Sequence, residues 1–393
     1  MDRRISIERG AAALEKLVPQ WEELAAQALE PNPFYEHWML RPALELLGEG
    51  GEVELACVWR GATLELLVPV ERLARYKGLP VRALSAWRHR HCLLGTPLVR
   101  ADAAIDALAA LLGWMQKARS AAVLELNYLT AGGPFHQALL DALARCGMPS
   151  LAADGYTRPL LRRDRDAESC IAAAISAESR SKLRRAERRL REQGTLARRV
   201  LRPGDDAGKW IDEFLRLEAA GWKGRRGSAL ACSEANRRFG VEVLTRAFER
   251  GRLVMVGLDL DARPIARYSA FTAGEGAFAF KTAYDEELRK GSPGILAELD
   301  MIRAFHERAA LQWMDSFTAA GNATMAWVWK HRCIVQCVAV GVTTAGGLAL
   351  AAVPLLQWLK RLWGQSQNLL GSRIRALTPN SGFILPGRRQ PAK

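Results

Sequence analysis

Residues 277–294 read AFAFKTAYDEELRKGSPG, and the reading of this stretch decides the fold. Its first part is apolar and aromatic, as a strand is, and its middle is charged. Its end, Ser292-Pro293-Gly294, opens a helix: Ser292 is placed to cap, Pro293 suits the first helical position, and Ile295, Leu296 and Leu299 supply the apolar face. Just upstream, residues 252–277 hold two apolar runs split by Asp261-Ala262-Arg263-Pro264, a hairpin signal. Three strands running into a helix start predict an anion site there. The first turn of a helix leaves amide N–H groups unpaired, and its dipole favours negative charge. Arg289-Lys290-Gly291 adds two cations and a flexible backbone just before that start. The stretch is neither a Walker loop nor a GxGxxG turn.

Working outward, residues 1–150 read as one α/β unit. Helices are predicted over 11–29 and 34–47, then strands over 53–59 and 63–70 joined by Arg60-Gly61-Ala62, a helix over 103–118, a strand over 122–128 and a helix over 133–146. Residues 151–332 repeat much of this order, ending in a helix over 293–310 and a strand over 311–317, which suggests an internal duplication. At 393 residues the chain exceeds a single ordinary core, so the expected organisation is an N-terminal domain over 1–150, a second domain over 151–362 and a polar tail over 363–393.

A net charge of +14 favours anionic partners without choosing among them. Seven cysteines, an odd number without a CxxC pair, read as reduced thiols of a cytosolic protein, and the six histidines show no metal spacing. MDRRISIERG lacks a following apolar segment, so no secretory signal is expected. Residues 179–192, SRSKLRRAERRLRE, form a basic helix with like-charge pairs Arg184/Arg188 and Arg185/Arg189; it is either a solvated face or a surface for phosphates or nucleic acid. From Cys333 to Leu359 no side chain is charged. That run reads either as a last strand and helix completing the sheet or, through residues 333–363, as a segment associated with an acidic membrane surface.

Two clusters could carry chemistry. Lys281, Tyr284 and Asp285 end the strand of the opening stretch. Amine acylation needs a base for the ammonium and an acid for the leaving group, roles that suit Asp285 and Tyr284; the alternative is that Tyr284 packs and Asp285 caps a turn. Glu218, Trp222 and Lys223 lie in EAAGWKG, either a substrate wall or a helix stop with Trp222 in the core.

The ordered blocks at 179–194, 214–230 (FLRLEAAGWKGRRGSAL), Pro264-Ile265-Ala266 and FKTAYDEELRKGSPG together resemble GNAT-superfamily acyltransferases of the cellulose-biosynthesis-associated type, distantly similar to Fem-type peptidyl transferases. The resemblance covers about residues 30–335. It implies tandem GNAT-like α/β (α+β) folds with mixed, mainly antiparallel sheets, and an acyl-CoA site in the second half. It implies a cytoplasmic transferase that takes acetyl-CoA or another acyl-CoA as co-substrate, uses no metal, and acylates an amine or hydroxyl of a cell-envelope or exopolysaccharide precursor. Carried onto this sequence, Arg289, Lys290, Gly291, Ser292 and Gly294 would hold the pyrophosphate, and backbone N–H groups around Ala266–Ala270, including Ala266 and Tyr268, would polarise the thioester carbonyl. Two other readings stay open: a non-catalytic scaffold of a polysaccharide-synthesis complex, and a Fem-like transferase using aminoacyl-tRNA.

Overall fold

The computed structural model describes residues 3–48, 52–321, 323–356 and 358. Among them thirteen strands form one mixed sheet. In chain order these are β1 (Arg4–Glu8), β2 (Val53–Arg60), β3 (Thr63–Leu73), β4 (Ala83–Ala86), β5 (Leu98–Val99), β6 (Val123–Thr130), β7 (Ser150–Arg162), β8 (Leu196–Val200), β9 (Leu253–Leu260), β10 (Arg263–Ala273), β11 (Gly276–Tyr284), β12 (Trp313–Asp315) and β13 (His331–Gly341). The order across the sheet is β1-β2-β3-β4-β6-β13-β7-β12-β11-β10-β9-β8, with β5 paired to β3. The fold is α/β, a large mixed sheet flanked by helices, as the sequence led us to expect.

The duplication is visible in this order. Strands β1 to β4 run antiparallel and β4 then pairs parallel with β6, the crossover passing through the helix Ala104–Ala118. Strands β8 to β11 repeat the pattern, and β11 pairs parallel with β12 after the helix Pro293–Glu307. Strand β7 is the seam: residues 150–160 pair with β13, and 160–162 pair with β12.

The uncharged C-terminal run supplies β13, whose β-branched residues lie between β6 and β7. A helix over 344–356 follows. No helix among the described residues is long and apolar enough to cross a membrane. The tail over 363–393 lies outside the described residues.

Local chemistry explains most of the elements. The β9–β10 hairpin turns on Asp261 and Ala262, with φ of 48° and 64°, the left-handed pair that a two-residue turn requires. Residues 11–29 form two helices, Ala11–Lys16 and Val18–Ala26, because Pro19 starts a second helix. The predicted strand over 311–317 keeps only its middle, β12. Strands β9 and β10 are buried along almost their whole length because helices cover both faces, Pro293–Glu307 on one and Ala207–Ala220 with Glu234–Glu249 on the other.

One core joins the halves. Phe34, from the first, stacks on Phe317 at 4.3 Å between ring centres and meets Phe271 and Phe278 edge-on. Arg158 of β7, fully buried, bonds Asp315 at 2.6 Å and the Leu93 carbonyl at 2.7 Å, tying the loop over 87–97 to the second half.

Candidate functional site

Strand β11 pairs with β12 only through Gly276–Phe278. From Ala279 to Tyr284 it runs on while the chain of β12 turns away, so one edge of β11 is left open. The strand ends in a 3-10 turn, Glu286–Gly291, that leads into the helix Pro293–Glu307. Asp285 caps the turn by accepting from the Glu287 amide at 3.0 Å and pairs with Arg263. Neither carboxylate oxygen is without a partner, so the proton-accepting role expected of Asp285 gives way to a cap and an ion pair. Glu286 accepts from the Trp222 amide at 2.5 Å and pairs with Arg225 at 2.6 Å, pinning the loop to the end of the preceding helix.

The helix start departs from expectation in a definite way. Ser292 lies at φ 52°, in the left-handed region, and its side chain caps nothing. Its carbonyl accepts from the Ile295 and Leu296 amides and Pro293 has no N–H, which leaves Gly294 as the first-turn amide without a backbone partner among the described residues. Gly291 and Gly294 are glycines for packing: a Cβ at 291 would lie 2.4 Å from Leu190 of the basic helix, and one at 294 would lie 2.9 Å from the Tyr284 ring. Tyr284 is therefore a packing partner of the helix start. Arg289 and Lys290 are exposed, and no ion pair engages them among the described residues. Together with Arg216, Arg225, Arg263 and Tyr284 they line an open cleft of about 810 Å³. The basic helix, Ala177–Arg191, packs on this turn through Leu190; its Arg184, Arg185 and Arg189 face solvent and also have no ion-pair partner among the described residues.

Ala266 and Tyr268 do not reach the site. Strand β10 is paired on both sides, so its amides serve the ladders, and both residues are buried in the core. The polarising role expected at Ala266–Ala270 is corrected on that ground; the open edge belongs to β11. Tyr268 packs instead beside Glu298, whose carboxyl burial pushes up to about 8.

The EAAGWKG cluster and Lys281 come together. Glu218, fully buried, receives both Lys223 Nζ and Lys281 Nζ at 3.4 Å on one oxygen, while the other accepts from the Leu230 amide at 2.8 Å. Lys223 Nζ also donates to the Thr282 carbonyl, on the open part of β11, at 2.8 Å. Burial, and beyond it the Lys281 charge, hold the Lys223 ammonium below the ordinary lysine range despite Glu218. Trp222 is 42% exposed, so it is not a core residue; it stands at the mouth of the narrow crevice lined by Glu218, Lys223 and Thr282.

Sequence reasoning missed His91, which arrives from the first half on the 87–97 loop. It bonds Asn236 Oδ1 at 2.8 Å and stacks on Phe239; burial and the Lys281 charge push its pKa down to about 4. Because Asn236 Nδ2 donates to Ser233 Oγ at 2.6 Å, its Oδ1 faces His91 and requires an N–H at Nε2. The pairing spans 145 positions, so spacing carries no signal for it. Among the described residues no group of three or more His, Cys, Asp or Glu is placed to hold a metal.

Residues 177–330 match the family model of the acetyltransferase (GNAT) domain. The matched span includes the basic helix, the open strand and the helix start. Among solved structures, FemX is similar over 84% of this chain and 96% of its own, with a TM-score of 0.55 and 12% identity. A conserved protein of unknown function from Bacteroides thetaiotaomicron is similar over 86% of this chain and 100% of its own, with a TM-score of 0.52 and 12% identity. At such identity these likenesses concern the fold. No curated protein matches the sequence.

Proposed function

We propose that this protein transfers an acyl group from acyl-CoA to an amine, using the second half as the donor site. The observation that carries the reading is the open edge of β11 ending at a cation-flanked helix start within the GNAT-type domain. An extended arm bearing amides completes such an edge as an added strand would. The diphosphate end would lie against Arg289, Lys290 and the Gly294 amide. The thioester would then reach the crevice where Lys281, held by Glu218, supplies positive charge to a developing oxyanion. Positioning in a ternary complex would supply most of the rate. By resemblance alone, the acceptor belongs among cell-envelope or exopolysaccharide precursors and the reaction to the cytoplasm.

Calorimetric titration with acetyl-CoA and longer acyl-CoAs tests the reading. The double variant Arg289→Ala/Lys290→Ala is expected to weaken binding by about a hundredfold, from two lost charge-assisted contacts of roughly 1.5 kcal/mol each. No binding of any CoA by the unaltered protein overturns it and leaves the scaffold and the aminoacyl-tRNA reading.

A second reading has an observation of its own. The unpaired arginines of the basic helix beside the same turn suit a polyanionic donor such as aminoacyl-tRNA. Steeply salt-dependent tRNA binding, without CoA binding, would select it.

A further inference from the structure

Around Glu218 two ammonium groups share one buried carboxylate. Such a cluster carries an excess positive charge where water is scarce, and the cost falls if one amine gives up its charge. Lys223 is the amine placed to do so. Both Nζ atoms lie at the same Glu218 oxygen and each lies over an aromatic ring, Trp222 for Lys223 and Phe280 for Lys281; what sets Lys223 apart is that its Nζ also donates to the Thr282 carbonyl, on the part of β11 that β12 leaves open. A carboxylate at 3.4 Å and a carbonyl at 2.8 Å form a seat for a primary amine, and in this structure Lys223 occupies it.

We propose that Lys223 is an internal acyl acceptor: with a thioester donor on the β11 edge and no external amine present, its ε-amine takes the acyl group. The inference rests on the acyl-CoA reading above. In the step, the neutral Nζ attacks the thioester carbonyl carbon, the C–N bond forms and the C–S bond breaks. The thiolate leaves with the electron pair, and the proton lost from Nζ passes to it, with the Glu218 carboxylate as the nearest carrier. The product amide is uncharged, so Glu218 is left in a one-to-one pair with Lys281 and the excess charge is gone. Acylation also takes the ammonium away from the Thr282 carbonyl, the group that a donor arm on this edge would use.

The test incubates the full chain with acetyl-CoA alone and maps acetylated lysines by mass spectrometry, with CoA binding measured calorimetrically on the same preparations. Acetylation is expected to approach one group per chain at Lys223. Its rate should rise from about pH 7 to pH 9 as the neutral amine fraction grows. Arg289→Ala/Lys290→Ala should slow it at least about tenfold by weakening the donor. In Lys223→Arg the modification should vanish from that position without moving to Lys281. Binding of CoA without acetylation of Lys223 above the level at exposed Lys16 overturns the internal acceptor and leaves the donor reading standing. Absence of CoA binding overturns both.

Discussion

Arg158→Met is the substitution that most directly tests how the two halves are joined. The guanidinium is fully buried, and two of its nitrogens are used across the seam, by the Asp315 carboxylate at 2.6 Å and the Leu93 carbonyl at 2.7 Å. Methionine fills much of the volume but leaves a buried carboxylate without its cation and a carbonyl without its donor. The expected loss is about 3–5 kcal/mol, the usual cost of breaking one side of a buried pair. Because that cost lies in the stranded charge, Arg158→Met/Asp315→Asn should recover roughly 2 kcal/mol of it: Asn keeps an oxygen for the Phe317 amide, which Asp315 now holds at 2.9 Å, and carries no charge. Urea denaturation of the four proteins of this cycle gives the answer. A loss in Arg158→Met below about 1 kcal/mol, or a double variant no more stable than the single, would refute the reasoning.

Other perturbations follow from single contacts. Gly291→Ala sets a Cβ 2.4 Å from a Leu190 methyl and 2.5 Å from its Cγ, so the whole buried side chain must move; a loss of about 1–3 kcal/mol in chemical denaturation is expected, relieved when Leu190→Ala is added. Glu298→Gln tests a buried acid. The native carboxyl keeps its proton up to about pH 8, whereas the ordinary value of 4.5 applies to the unfolded chain, so wild type loses stability as pH rises between those values, at most about 1.4 kcal/mol per pH unit. The variant lacks that slope, and its stability relative to wild type should climb from about pH 5 to pH 8 and then level off; parallel melting curves across that window would exclude a protonated Glu298.

The fold was legible because its signals are local. The two-residue turn at Asp261-Ala262, the strand period through 263–284 and the Pro293 helix start all act within a few residues, and together they give the meander and its crossover. The open edge was not legible, since it depends on β12 pairing for only three residues with a strand more than thirty positions earlier. The same limit explains the site. Glu218, Lys223 and Lys281 were each singled out from their surroundings, but that they meet on one carboxylate is a property of the Ala207–Ala220 helix packing against β11. At Gly291 and Gly294 another limit acts: a glycine before a helix serves close packing as readily as close approach of a ligand, and the contacts that a Cβ would make with Leu190 and Tyr284 are long-range properties.

Why one half and not the other should hold a donor follows from what fills the corresponding gap. In the first half β4 pairs with β6 through Ala83–Ser85 and then also leaves it. There the chain closes its own opening: the Gly95 amide donates to the Tyr128 carbonyl, Asn127 reaches Ser85 and the Ala86 carbonyl, and a Cβ at Gly95 would lie 2.1 Å from the Asn127 carbonyl. The crossover helix that follows begins at Ala104 with no side-chain cap, and the arginine before it, Arg100, is already paired with Asp102 and Glu23. An edge occupied by its own loop and a helix start without an unpaired cation give an acyl donor nothing to bind. In the second half the Thr282 carbonyl, beyond Phe278, receives the Lys223 ammonium, and among the described residues no ion pair engages Arg289 or Lys290 at the helix start. The loop that plugs the first half is also the one that carries His91 to Asn236 and Phe239 of the second. On the acyl-CoA reading proposed above, the duplicated topology holds its donor site in the second half, and the first half keeps its own edge closed.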